Sequence, residues 1–317
     1  MFASRKANNL FLLAAVFVAA TAARGASTWE HTRLSSAHVL SFLATSDSPT
    51  LYAGTSVGLY ISSDGGHLWK AKILAYDSGG RIDFSPVWSL AGEASRVFAA
   101  TSRGLFLSEN GGQRFVKKRT GARFIDTSRP IRIEVLGETV FLGCLNGVAL
   151  SHNHGETWDA QETTPELGLL RDAHLTTDGI VLAVSEKGVF KKRWEESHWT
   201  PITPLISGSC LRIFLSGTDW IALVLSSTNC QLWKSADQGS HWQPFPVEPV
   251  AANTAWIRLG QRFFFSGQKG VYEWDGQKSM PVGDLPQPVF ALLGSPDGKV
   301  LFAGTRGQGV FRLEIAP

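Results

Sequence analysis

An eight-residue phrase, Ser-x-Asp-x-Gly-x-x-Trp, returns through the chain at a fixed rhythm and restricts its fold more than any other feature. SSDGGHLW (62–69) and SADQGSHW (235–242) match in full. SHNHGETW (151–158) has Asn153 for the aspartate, and SENGGQRF (108–115) has Asn110 and a closing Phe115. A second phrase, LYAGTSVGLY at 51–60, recurs at 97–106, 140–149, 181–190, 263–272 and 301–311. Its turn glycines, Gly58, Gly104, Gly147, Gly188, Gly270 and Gly309, stand about 39 to 46 residues apart. The one gap of two periods is filled by Cys230-Gln231-Leu232-Trp233. Seven such units, each with four short strands, describe an all-β, seven-bladed propeller. The last unit, VFALLGS, VLFAGTR and GVFRLEI, lacks a fourth strand. Trp29 to Leu34 has the pattern of one, so this N-terminal strand is expected to close the last blade. An open ring would leave strand edges bare.

Residues 1–26 are of another kind. Arg5 and Lys6 precede LFLLAAVFVAA (10–20), and small residues follow. This reads as a secretory signal peptide, too short to span a bilayer as a helix of ~20 residues. Residues 27–317 are then one exported propeller, periplasmic or extracellular, with no stable membrane span after cleavage. The leader also carries the charge excess. It holds Arg5, Lys6 and Arg24 and no acid, in a chain of 30 basic and 27 acidic residues. The remainder is formally neutral, which leaves no electrostatic footprint for nucleic acid. No linker divides the repeats, and a monomer is expected.

The box falls on the turn between the third and fourth strands of a unit. Ser62 and Asp64 can bond backbone N–H groups there, Gly66 permits a positive φ, and Trp69 wedges between sheets. The same roles fall to Ser108, Asn110, Gly112 and Phe115, to Ser151, Asn153, Gly155 and Trp158, and to Ser235, Asp237, Gly239 and Trp242. One carboxylate per turn is too few for calcium, which takes six to eight oxygens. The box therefore reads as structural. Unit four has Lys192, Trp194 and Glu196 in its place, and unit six has WDGQKSM.

There are three cysteines. Cys144 lies within a strand and reads as a buried thiol. Cys210 and Cys230 precede the first and third strands of unit five, on the same face of the ring. An exported chain permits a Cys210–Cys230 disulfide, which would contribute roughly 3 kcal/mol.

The phrases LYAGTSVGLYISSDGGHLW, SHNHGETW and SADQGSHW resemble the Asp-box (BNR-repeat) propellers. In rhythm they are similar to the photosystem II stability and assembly factor-like members. The resemblance covers nearly all of the chain after the leader. It implies an exported single ring that binds another protein or a glycan. The same box occurs in sialidases and glucan-active hydrolases, so it marks fold more than function. A sialidase would bring an Arg-Ile-Pro start and a tyrosine nucleophile. The nearest string here is Ser128-Arg129-Pro130, and Tyr52, Tyr60 and Tyr272 fall in repeat strands. A glycoside hydrolase needs two carboxylates at set separations; Asp77 and Asp83 are the candidates for that rival reading. No metal, cofactor or catalytic-serine motif is present in the sequence, and no cofactor, metal or catalytic residue is expected.

The loops between units share the face opposite the boxes, and three are long: 75–86, 120–130 and 162–171. They carry Tyr76, Asp77, Arg81, Asp83, Arg123, Asp126, Arg129 and Arg171. Arginine and aromatic residues anchor binding surfaces, and loops on a rigid scaffold carry function. These eight are the expected partner-binding face. The basic runs 117–119 and 191–193 read as charges that protect sheet edges.

Overall fold

The computed structural model describes residues 28–315 apart from 35, 46–47, 75–83, 122–128, 203–208, 217–218, 227–228, 248–249, 253, 268 and 286–287. The described residues form seven four-stranded antiparallel sheets. Each sheet is one blade, and blades one to six follow chain order from the innermost strand outward. The innermost strands are Val39–Ala44, Val87–Glu93, Pro130–Leu136, Leu170–Leu175, Ser209–Ser216, Trp256–Leu259 and Val289–Gly294 for blades one to seven. Two of the second strands, Leu51–Thr55 and Ile180–Ser185, are buried at every residue, and the others at most of theirs. They sit between neighbouring sheets, and this two-sided burial is why they read as unbroken apolar runs.

The ring closes as the sequence suggests. Glu30–His31 pairs with Val310–Glu314 as the outermost strand of blade seven, with Glu30 opposite Arg312. Arg312 Nη1 holds Glu30 Oε2 at 2.8 Å, and the Trp29 indole donates to the Val282 carbonyl of blade six at 2.6 Å. Two ends of the chain thus share one sheet, and the outer edge of the last blade is paired.

The four intact boxes repeat one set of bonds. Each serine hydroxyl donates to the Asp or Asn Oδ1, at 2.8–3.0 Å. It also accepts the glycine N–H at 2.8–3.0 Å. The same Oδ1 accepts a second backbone N–H four residues on. That N–H, from His241, is the main reason the exposed Asp237 carboxyl is lowered to about 2. The box glycine has a further task. A Cβ on Gly66 would stand 2.3 Å from Phe302 of blade seven, and on Gly112 2.7 Å from Tyr52 of blade one. Gly155 meets Phe98 of blade two, and Gly239 meets Ile202 of blade four. The box is a joint between successive blades: its positive φ and its missing side chain let the preceding blade press in.

Blade four makes this joint differently. Lys192 turns inward and is buried, 5.9 and 5.3 Å from the ring centroids of Trp194 and Trp199. Its ammonium donates to the Glu196 carbonyl at 2.8 Å and to Gln161 of blade three. Lys192 is therefore not an edge charge, contrary to the sequence expectation. An ammonium between two indoles takes over the pinning role of the serine.

The Cys210–Cys230 disulfide does not form; neither thiol is in a disulfide. The second strand of blade five, Asp219–Leu225, runs between the strands that carry them. Two strand spacings amount to about 9–10 Å, beyond the ~7 Å that a disulfide bridges between Cα atoms. Cys144 is buried.

Candidate functional site

The site grows from one irregularity repeated around the ring. In six blades the pairing of first and second strands slips by one residue near the start of the first strand. The slips fall at Val39/Ser41, Val87/Ser89, Pro130/Arg132, Leu170/Asp172, Cys210/Arg212 and Val289/Ala291. A bulge of this kind re-aims a side chain. The bulged residues Leu40, Trp88, Ile131, Arg171 and Phe290 all line one cavity of about 260 Å³. Strand starts lie on the face of the blade-joining loops, so this cavity is the neck of the central channel on that face. A wider cavity of about 1090 Å³ continues toward the box face and shares Arg132, Glu134, Phe214 and Trp256 with it.

The residues after the bulges form a ring: Ser41, Ser89, Arg132, Asp172, Arg212 and Ala291. Two residues on lie Leu43, Ala91, Glu134, His174, Phe214 and Leu293. Blades three to five therefore bring charges together. Arg132 Nη2 donates to Asp172 Oδ1 at 2.8 Å. His174 sits between two carboxylates, with Nδ1 2.6 Å from Glu134 Oε1 and Nε2 3.3 Å from Asp172 Oδ2. Burial works to lower His174, as does Arg132, but Asp172 and Glu134 outweigh both and raise it to about 9. Burial works to raise Asp172, yet Arg132, then His174 and Arg212, hold its carboxyl far below the usual range. The imidazolium thus donates from both nitrogens.

These carboxylates also close a backbone account. The innermost strand has an unpaired edge toward the channel, whose N–H groups need acceptors. Ile213 donates to Asp172 Oδ2 at 3.3 Å, Leu175 to Glu134 Oε2 at 2.9 Å and Ile133 to Ser89 Oγ at 3.0 Å. In each case a side chain of one blade serves the next blade's edge.

Arg212 is the exception. It lines the neck, half-buried, and among the described residues its guanidinium has no hydrogen-bond or ion-pair partner. Burial, the larger influence, lowers it from its ordinary value even with Asp172 nearby. Arg171, exposed at the same neck, has no such partner either. Arg129, just outside, lays its guanidinium 3.9 Å from the Trp88 ring centroid. The opposite wall is apolar and aromatic: Leu40, Phe42, Trp88, Trp256 and Phe290. The Trp88 and Trp256 indole N–H groups and the Ser41 hydroxyl are buried without a partner.

Of the eight residues expected on the partner face, Tyr76, Asp77, Arg81, Asp83, Arg123 and Asp126 lie outside the described residues. Arg171 lines the neck, and Arg129 lies on the ring of Trp88, which lines it too. Arg171 belongs to the innermost strand of blade four, because that strand begins at Leu170. Sequence reasoning missed Arg132, Glu134, Asp172, His174 and Arg212. Their signal was present: charged residues two apart, in strands otherwise apolar. Among the described residues no group of three or more His, Cys, Asp or Glu stands where it could hold a metal ion.

Residues 21–219 match the family model described as "Photosynthesis system II assembly factor YCF48". Solved structures share the fold. A YCF48 bound to a D1 peptide superposes with a TM-score of 0.71 at 16% identity, covering 92% of this chain and 98% of that one. YCF48 from Cyanidioschyzon merolae gives 0.72 at 12% identity, covering 90% and 99%. An ancestral GH74 enzyme gives 0.68 at 14% identity, covering 90% of this chain and 46% of that one. A search among curated proteins returned no match.

Proposed function

Because the chain belongs to the photosynthesis system II assembly factor YCF48 family, we propose that it is an exported, non-catalytic scaffold that binds a protein segment on the face of the blade-joining loops. One observation carries the reading: cations without ion-pair partners among the described residues and bare apolar side chains share that face. Arg129 and Arg171 stand at the channel rim. Phe84 and Leu169, on the connections into blades two and four, are 59% and 50% exposed, and Val57 and Leu225 are exposed on neighbouring turns. Apolar anchors ringed by arginine are the chemistry of a protein-binding hot spot. The rim arginines Arg129 and Arg171 favour an acidic segment. The YCF48 solved with a D1 peptide supports a peptide as the form of partner. The apolar leader at 10–20 supports export.

The test is capture from the exported fraction by the native chain and by an Arg129→Ala/Arg171→Ala variant, read by mass spectrometry. A protein should be retained by the native chain and depleted at least about ten-fold with the variant, while the melting temperature stays put. Retention of a glycan in place of a protein overturns the reading. So does turnover of sialosides or plant glucans that is lost on Asp77→Asn or Asp83→Asn.

A further inference from the structure

We propose that the neck of the channel is a binding site for one small oxyanion group, a carboxylate or a phosphate, gripped by Arg212 and Arg171 against the aromatic wall. Arg132, Arg171, Arg212 and the imidazolium of His174 stand around two carboxylates, Glu134 and Asp172. Those carboxylates are already engaged. Asp172 accepts from Arg132, from His174 and from the N–H groups of Ala173 and Ile213. Glu134 accepts from His174 and from the Leu175 N–H. Among the described residues Arg212 and Arg171 have no hydrogen-bond or ion-pair partner, although the Asp172 charge acts on Arg212.

A guanidinium withdrawn from bulk water without a partner is costly, and a protein retains one where a ligand completes it. Arginine presents its donors in a flat fork that matches two oxygens of a carboxylate or phosphate. The Trp88 and Trp256 indoles and the Ser41 hydroxyl are unpaired, and all three residues line the same cavity as the two arginines. Two guanidinium groups without an ion-pair partner among the described residues make an anion a better fit here than a cation. The volume of the neck, about 260 Å³, admits one such group with a few waters, given about 30 Å³ for each water in the liquid.

This site does not rest on protein capture at the loop face, since the oxyanion can arrive as a free ion or as an acidic side chain or terminus of a docked chain. Trp88 and Trp256 report on it directly. Tryptophan fluorescence and calorimetry of the full chain are followed as inorganic phosphate, acetate or an acidic peptide replaces chloride at a constant ionic strength of about 0.15 M. The expected result is saturable binding of at least one of the three, weakened about ten-fold or more by Arg212→Gln and unchanged by Lys299→Ala, an exposed charge beside Asp297 away from the neck. Because Arg212→Gln removes an unpaired cation, its melting temperature is expected to hold or rise, which separates lost binding from lost folding. Saturation by phosphate or acetate assigns a free ion. Saturation by the peptide alone, with the same sensitivity to Arg212→Gln, assigns a docked chain. Saturation by none of the three, or a native-like response in Arg212→Gln, overturns the proposal. Failure of protein capture with anion binding intact would sink only the reading of the loop face.

Discussion

The channel has two walls made by the same device. Every blade contributes its first strand, and six carry the same bulge, yet blades three to five build an ionic wall and blades six, seven, one and two an aromatic one. Arg132, Glu134, Asp172, His174 and Arg212 occupy positions that Ser41, Leu43, Ala291 and Leu293 fill elsewhere. The difference teaches what the repeat dictates and what it leaves free. Blade-to-blade joints and buried second strands recur because every blade must bury both faces. The channel edge carries no such demand, so its residues diverge. Where the ring residue is Ser89, Glu134 or Asp172, it accepts an edge N–H from the next blade. Arginine has no acceptor, and in the blade after Arg132 the Ala173 N–H turns back to its own Asp172 at 3.1 Å.

The strongest break in the comparison is Asp172→Ala. It strands Arg132, His174 and the Ile213 N–H at once, and removing one partner of a buried ion pair costs about 3–5 kcal/mol. Urea unfolding should show that loss in the transition midpoint. A midpoint within 1 kcal/mol of native, on the scale of surface pairs, would mean the ionic wall is solvated and energetically idle. The pH profile sharpens the same point. His174 holds its proton more tightly folded than unfolded, at about 9 against 6.5. Its contribution is whole below pH 6.5 and fades as pH climbs toward 9. By linkage the full loss is on the order of 3 kcal/mol at most. Asp172 runs the other way, contributing above its ordinary 3.8 and losing that contribution as pH falls. His174→Gln should flatten the alkaline limb. A native alkaline limb already flat between pH 6.5 and 9 would refute the network.

How much of this could be read from the chain follows from the same distinction. The seven blades, their strand order and the closure by Glu30–His31 were legible, because box and glycine spacing repeat wherever blades touch. Arg129 and Arg171 were found as loop arginines. Arg132 and Glu134 were read only as part of strand IRIEVLG, and His174 only as part of AHLTTD, because no repeat marks them. Their partners lie about 40 residues away, on the next blade, and appear only once the ring is closed. The disulfide failed for a related reason: sharing a face says nothing of the strand that runs between.

A smaller effect tests whether the walls differ only at the channel. Ser62 of blade one lies behind the aromatic wall and Ser235 of blade five behind the ionic one, and both make the same bonds. Replacing either by Ala leaves a glycine N–H unsatisfied, at a cost of about 1–3 kcal/mol. The two variants should lose equal stability by thermal unfolding. A gap of more than about 1 kcal/mol, beyond the usual spread for a single hydrogen bond, would show that the ionic wall reaches out to the joints.

The smallest effect is expected on the aromatic wall. Trp256 packs on Phe245, Phe263 and Phe265, with centroids 5.5–5.9 Å apart, and its indole N–H has no partner. Phenylalanine keeps most of that contact and removes a donor that makes no bond. Two opposing terms then nearly cancel: lost ring area destabilises, and the relief of an unsatisfied buried group stabilises by about 1–3 kcal/mol. Trp256→Phe should therefore change stability by less than about 1 kcal/mol, against the several lost on the facing wall. A loss as large as that of Asp172→Ala would mean the indole N–H is satisfied in solution by an ordered water. The aromatic wall would then be as polar in practice as the ionic one, and the contrast between them would fall.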